Sequence, residues 1–165
     1  MTALAACLSS VRMDWRTPRD LFDALDAEFF FRVDAAATRE NAMVGRYYGP
    51  DHEIPAHRDA LALAVWNSPA WLNPPYGRAL PLWMRHAHAQ AEIHGSTVVC
   101  LVPARTDSRW WHDYVMQATD IRLIPGRVRF EGATAGAPFP SAIVVFAPRR
   151  QAWPNVRAWH WRDAA

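Results

Sequence analysis

The stretch Trp71-Leu72-Asn73-Pro74-Pro75-Tyr76-Gly77 constrains this chain more than any other. The apolar pair Trp71-Leu72 marks the end of a buried strand. Two prolines then end any strand ladder and fix the direction of the backbone. A residue before proline is pushed out of the helical region, so Asn73 is extended. The pattern predicts a short amide held rigidly at a strand end, followed by an exposed aromatic ring and a glycine. In open α/β sheets, ligands bind beyond the carboxyl ends of strands.

That arrangement suits a flat, amino-bearing substrate. The Asn73 amide oxygen can accept a hydrogen bond from an exocyclic NH2 group. A backbone carbonyl in the Pro-Pro turn can accept a second. Together they would aim the nitrogen lone pair at an electrophile. A Tyr76 ring standing free could stack on the heterocycle, as aromatic side chains stack on unstacked bases. The four residues resemble the catalytic motif of amino-group methyltransferases that use S-adenosylmethionine. The motif gains weight only from its structural context.

A chain of 165 residues fits one domain with a substantial core. Its net charge of +2 permits a nucleic-acid partner without demanding one. Cys7 and Cys100 lie far apart, and Cys100 falls inside the apolar run Thr97 to Val102, as a buried thiol would. No Cys or His cluster has metal-ligand spacing, so no metal is expected. There is neither a signal-peptide pattern nor an apolar run of membrane-spanning length, which points to a cytoplasmic protein.

Residues 1–13 are weakly patterned and fit a loose arm, residues 14–147 a single domain, and residues 148–165 an Arg- and Trp-rich tail. Thr17 is placed to cap a helix with Pro18 at its first position, and Leu21, Phe22, Leu25 and Phe29 fall on one face of that helix. Phe30 to Val33 fits a strand that delivers Asp34 to its carboxyl end, followed by the small residues Ala35, Ala36 and Ala37. Residues 38–58 are turn-rich, fitting a short helix and a loop. Leu82 to Ala91 form a helix ending at Gly95, Thr97 to Val102 a buried strand, and Asp107 or Ser108 caps a helix holding Trp110 and Trp111. Ile121 to Ile124 and Ser141 to Phe146 are strands, with Gly-, Ala- and Pro-rich residues 131–140 between them. Helix and strand patterns alternate and the chain closes on strands. That order predicts an α/β fold with a mostly parallel central sheet and an antiparallel edge.

With these residues assembled, the chain resembles the phage DNA N6-adenine methyltransferase family, the small Dam-like enzymes of phages and prophages. The likeness runs from about Asp14 to Phe146. It is carried by Trp15-Arg16-Thr17-Pro18, Val33-Asp34-Ala35-Ala36, Asp59-Ala60-Leu61, Asn73 to Gly77, Leu101 to Asp107, Gly126 to Phe130 and Phe139-Pro140-Ser141, in that order. The resemblance implies a Rossmann-like class I methyltransferase fold with helices on both faces. It implies methyl transfer from S-adenosyl-L-methionine to the amino group of an adenine flipped out of double-stranded DNA. Asn73, Pro74, Pro75 and Tyr76 are then the catalytic candidates. Thr17, Pro18, Asp34, Ala35, Asp59 and Asn73 are the cofactor-binding candidates. Arg105, Thr106, Arg127, Arg129 and Ser141 are the candidate DNA contacts. One departure is that Ala35 to Ala37 stand where many methyltransferases carry a glycine-rich loop.

Other functions share this pocket chemistry. N4-cytosine methylation and protein glutamine N5-methylation both act on an amino group. A nucleic-acid-binding protein without catalysis could keep the same fold. In the tail, Arg149, Arg150, Arg157 and Arg162 interleave with Trp153, Trp159 and Trp161. That pattern suits phosphates and bases, or packing of the rings onto the domain.

Overall fold

A computed structural model describes residues 15–148 and 152–162. The expected arm at residues 1–13, Cys7, and the cations Arg149 and Arg150 lie outside the described residues. The chain builds six strands: β1 Val33–Asp34, β2 Ala70–Leu72, β3 Val98–Pro103, β4 Asp120–Leu123, β5 Ser141–Phe146 and β6 Asn155–Ala158. Its α-helices are α1 Arg19–Phe29, α2 Leu80–His94 and α3 Arg109–Asp113. The sheet order is β1-β2-β3-β5-β4-β6. Strand β5 runs antiparallel to both β3 and β4, and every other pairing is parallel. The expected reversed strand therefore exists, but it lies inside the sheet rather than at its edge. The reason is that β5 inserts between β3 and β4 and pairs with both, and β6 then adds to the outer side of β4 from within the segment expected to be a tail.

Side chains alternate across the sheet, and each face has its own cover. Val33, Ala70, Leu72, Val98, Cys100, Val102, Val144 and Phe146 pack with Met84, Ala87 and Ala91 of α2 and with Trp110 and Trp111 of α3. On the other face, Trp71, Val99, Leu101, Ile143 and Val145 meet Leu21, Phe22 and Leu25 of α1 together with Phe130. Burial on both faces explains why β3 and β5 are unbroken apolar runs rather than alternating ones.

Local geometry departs from the sequence pattern in places. Helix α1 starts at Arg19 with Pro18 in the N-cap position, and no side chain caps it. The Thr17 hydroxyl is engaged elsewhere, as described below. Phe30 is not in a strand. It ends α1 in the left-handed region at φ 54° and is 73% exposed. Residues 38–58 form no α-helix, only a 3-10 turn at Pro55–His57. Gly95 ends α2 as expected, with φ 65° and its N–H returned to Ala91.

One buried charge was invisible in the sequence. Arg122 on β4 is 2% exposed and forks onto Glu28 of α1 at 2.6 and 2.7 Å. It also reaches Asp120 at 2.7 Å, between the rings of Phe29 and Trp159. The bidentate carboxylate of the half-exposed Glu28 satisfies the Arg122 charge that burial would otherwise penalise. Arg157 of β6 bonds Asp120 and Arg162 bonds Asp20, so these two tail cations are tied to the domain.

Candidate functional site

A cavity of about 360 Å3 opens at the carboxyl ends of β1 and β2, within the range of small-ligand sites. Its walls come from Trp15, Arg16 and Thr17 ahead of α1; Asp34, Ala36, Ala37, Thr38 and Asn41 at and after the end of β1; Tyr48 to Pro50; Arg58 to Ala60; Asn73, Pro74 and Pro75 after β2; and Trp83 of α2. The parallel pairing of β1 with β2 puts Asp34 level with Trp71, so the two strands end side by side. That is why an aspartate and an asparagine thirty-nine positions apart share one cavity.

Asn73 has the most informative contacts. Its Nδ2 donates to the Trp15 carbonyl and, at 3.0 Å, to the Thr17 hydroxyl oxygen. A carbonyl can only accept, so the nitrogen must face Trp15 and the amide orientation is decided. Oδ1 is left buried with no hydrogen-bond partner. A buried acceptor without a donor is costly, and such an atom marks a place where a ligand donor belongs. The Pro75 carbonyl is occupied by the Gly77 N–H at 3.0 Å.

Asp34 is 3% exposed. Its carboxylate accepts from the backbone N–H groups of Ala36 at 3.3 Å and Met43 at 3.0 Å, and thereby folds the loop after β1. Burial raises its pKa to about 6, because desolvation outweighs the two backbone donors. Asp59 also borders the cavity, where its side chain caps a 3-10 turn through the Leu61 N–H at 3.0 Å.

Gly49 also lines the cavity. A Cβ there would sit 1.6 Å from the Ala37 carbonyl oxygen, so no side chain is accommodated. The sequence shows only a turn at Tyr47 to Pro50. The close approach becomes visible when Ala37 and Tyr48 pair through their backbones.

Several candidates lie elsewhere. Ala35 is wholly buried in the core, and Ala36 and Ala37 form the wall in its place. Pro18 does not border the cavity. Tyr76 is not the exposed ring the motif suggests. It is 3% exposed, packs edge-on against Phe139 at 5.6 Å and Phe130 at 6.1 Å, and donates its hydroxyl to the Leu101 carbonyl at 2.9 Å. The turn after Pro75 rotates the next side chain down onto the α1 face of the sheet, and burial holds its phenol protonated. Ser141 is 2% exposed, so as a surface contact it is corrected. The fully paired register of β5 with β3 places it opposite Pro103. Arg105, Thr106, Arg127 and Arg129 are exposed, and Arg129 is anchored to the carbonyls of Ala133 and Thr134.

A sequence model of the family described as DNA N-6-adenine-methyltransferase (Dam) matches residues 5–151. This chain belongs to that family. A protein of Escherichia phage T1 named DNA N-6-adenine-methyltransferase is 29% identical over 116 residues, covering 68% of this chain and 44% of the phage protein. Another of the same name, from Haemophilus phage HP1, is 28% identical over 144 residues, covering 82% of this chain and 79% of the relative. The chain thus spans less than half of the first relative and most of the second. Among the described residues of this Dam-family chain, no helix is long and apolar enough to cross a membrane.

Proposed function

We propose that this chain is an S-adenosylmethionine-dependent DNA adenine N6-methyltransferase on a Rossmann-like class I fold, acting on double-stranded DNA. Membership of the Dam family supports the reaction class. The observation that carries the chemistry is the Asn73 amide. Both of its N–H groups are held by the chain, and its one unsatisfied atom is an acceptor. Five co-directed strands, helices on both faces and a cavity at the strand ends support the fold assignment.

The cavity fits the cofactor in kind. It offers a carboxylate at Asp34, a second at Asp59, a hydroxyl at Thr17 and apolar walls from Trp83, Ala36 and Ala37. S-adenosylmethionine supplies an electrophilic methyl group when bound. The chain's own residues orient the acceptor. Asn73 Oδ1 takes one hydrogen bond from the adenine amino group. A backbone carbonyl of the Pro74-Pro75 turn is the acceptor for the second; that of Pro75 already takes the Gly77 N–H on one of its two lone pairs. Holding both protons turns the nitrogen lone pair toward the methyl carbon. The bound cofactor would supply the methyl group to that nitrogen, and the amino proton displaced would leave to solvent. Orientation of this kind lowers the barrier by removing the entropy of alignment. Among the described residues a thiolate route is not supported, because Cys100 is wholly buried in β3 and burial pushes its thiol pKa up.

The test is incubation with labelled S-adenosylmethionine and unmethylated DNA, followed by nucleoside analysis. N6-methyladenine is the expected product. Label found only in N4-methylcytosine, or only in protein, overturns the reading.

A further inference from the structure

We propose that Thr17 is a positioning residue that couples occupancy of the cofactor cavity to the acceptor strength and orientation of Asn73. The inference rests on the functional reading above. Thr17 is 5% exposed and borders the cavity. Its oxygen accepts from Asn73 Nδ2 at 3.0 Å. A hydroxyl has one proton to donate, and an oxygen that accepts from Nδ2 must send that proton elsewhere. Thr17 does not cap α1, so the helix makes no use of it. The proton is available to an acceptor atom on a ligand inside the cavity.

This creates a continuous chain of bonds. A ligand acceptor takes the Thr17 proton, Thr17 takes an Asn73 proton, and Asn73 Oδ1 takes a proton from the target amino group. Each bond in such a chain polarises the next. Filling the acceptor side of the cavity therefore makes Oδ1 a stronger acceptor and stiffens the amide against rotation. Trp15 holds the second amide proton through its backbone carbonyl, which no side-chain substitution removes. Thr17 is the replaceable half of the clamp.

Thr17→Val keeps the side-chain shape and deletes the hydroxyl, whereas Thr17→Ser keeps the hydroxyl. Kinetics at saturating methyl donor and DNA separate coupling from simple cofactor contact. Coupling lowers kcat about tenfold in Thr17→Val, the value of one hydrogen bond, and Thr17→Ser restores it. A role confined to cofactor contact raises KM for the donor and leaves kcat unchanged, and that result overturns the inference. A second measurement needs no activity. The side-chain amide protons of Asn73, followed by NMR, should shift when S-adenosylhomocysteine is added to the wild-type and Thr17→Ser chains and stay in place in Thr17→Val. Identical responses in all three overturn the coupling. If the wild-type chain makes no methyladenine, the functional reading fails separately, and the amide resonances still decide whether Thr17 holds Asn73.

Discussion

The two ends of the Asn73 to Tyr76 motif face opposite environments. Asn73 lies at the cavity wall with one buried acceptor unmatched. Tyr76, three residues on, has its hydroxyl matched and its ring enclosed by Phe130 and Phe139. One end is left incomplete for a ligand; the other completes the protein's own core. Two positions of one short motif can thus carry a chemical role and a packing role, and hydrogen-bond satisfaction tells them apart. The unsatisfied end should govern turnover and the satisfied end stability.

The sharpest way to break that contrast is at Asn73. Asn73→Ala and Asn73→Asp should each lower turnover by about 10²- to 10³-fold, as removal of one preorganised polar group typically does. The aspartate case is the more telling one. It keeps an acceptor and the volume, but it sets a carboxylate oxygen against the Trp15 carbonyl where Nδ2 now donates. Wild-type turnover in Asn73→Asp would show that the amide nitrogen is irrelevant. At the other end, Tyr76→Ala should cost about 3–5 kcal/mol of unfolding free energy through the cavity it opens. Tyr76→Phe should cost about 1–2 kcal/mol by stripping a donor from the buried Leu101 carbonyl. Chemical denaturation checks both, and unchanged stability in Tyr76→Ala would move the ring out of the core.

Asp34 sharpens the comparison from the cavity side. Its pKa of about 6 lies above the ordinary carboxylate value of 3.8. For an acid raised in this way, the stabilising contribution is present below about pH 4 and is lost as pH rises through about 6. At neutral pH the folded protein therefore holds a buried, ionised carboxylate at a cost. A ligand that donates to it favours the ionised form. Cofactor affinity should accordingly be flat above about pH 6 and fall by up to about tenfold per pH unit below it. Calorimetric titration of S-adenosylhomocysteine across pH 5–8 reads this directly, and a flat profile removes Asp34 from the binding step. The smallest effect is expected outside the cavity. Arg105→Gln and Arg127→Gln should each reduce the salt-dependence slope of DNA binding by about one, if these exposed cations meet phosphates. An unchanged slope assigns them to solvent.

The sequence by itself determined the strand ends. Proline cannot continue a ladder, so Asn73 had to terminate β2, and the apolar run through Cys100 had to be a central strand buried on both faces. The α/β class followed from the alternation of those patterns, and the candidates Thr17, Asp34, Asp59 and Asn73 do converge on one cavity. Other features depended on which distant groups came into contact. Thr17 has the local signature of a helix cap, yet its hydroxyl serves Asn73, fifty-six residues away. Ala35 and Ala36 are indistinguishable as neighbours in sequence. Just past the end of β1, Ala35 donates its N–H to the Trp71 carbonyl and sits in the core, while Ala36 borders the cavity. Tyr76 could have been free or buried until Phe130 and Phe139 closed over it, and Arg122 gave no sign of being interior until Glu28 arrived to neutralise it. Backbone preferences act over a few residues and leave a trace in composition and spacing. Hydrogen-bond satisfaction and burial are settled by neighbours distant in sequence, and only the folded chain brings those neighbours together.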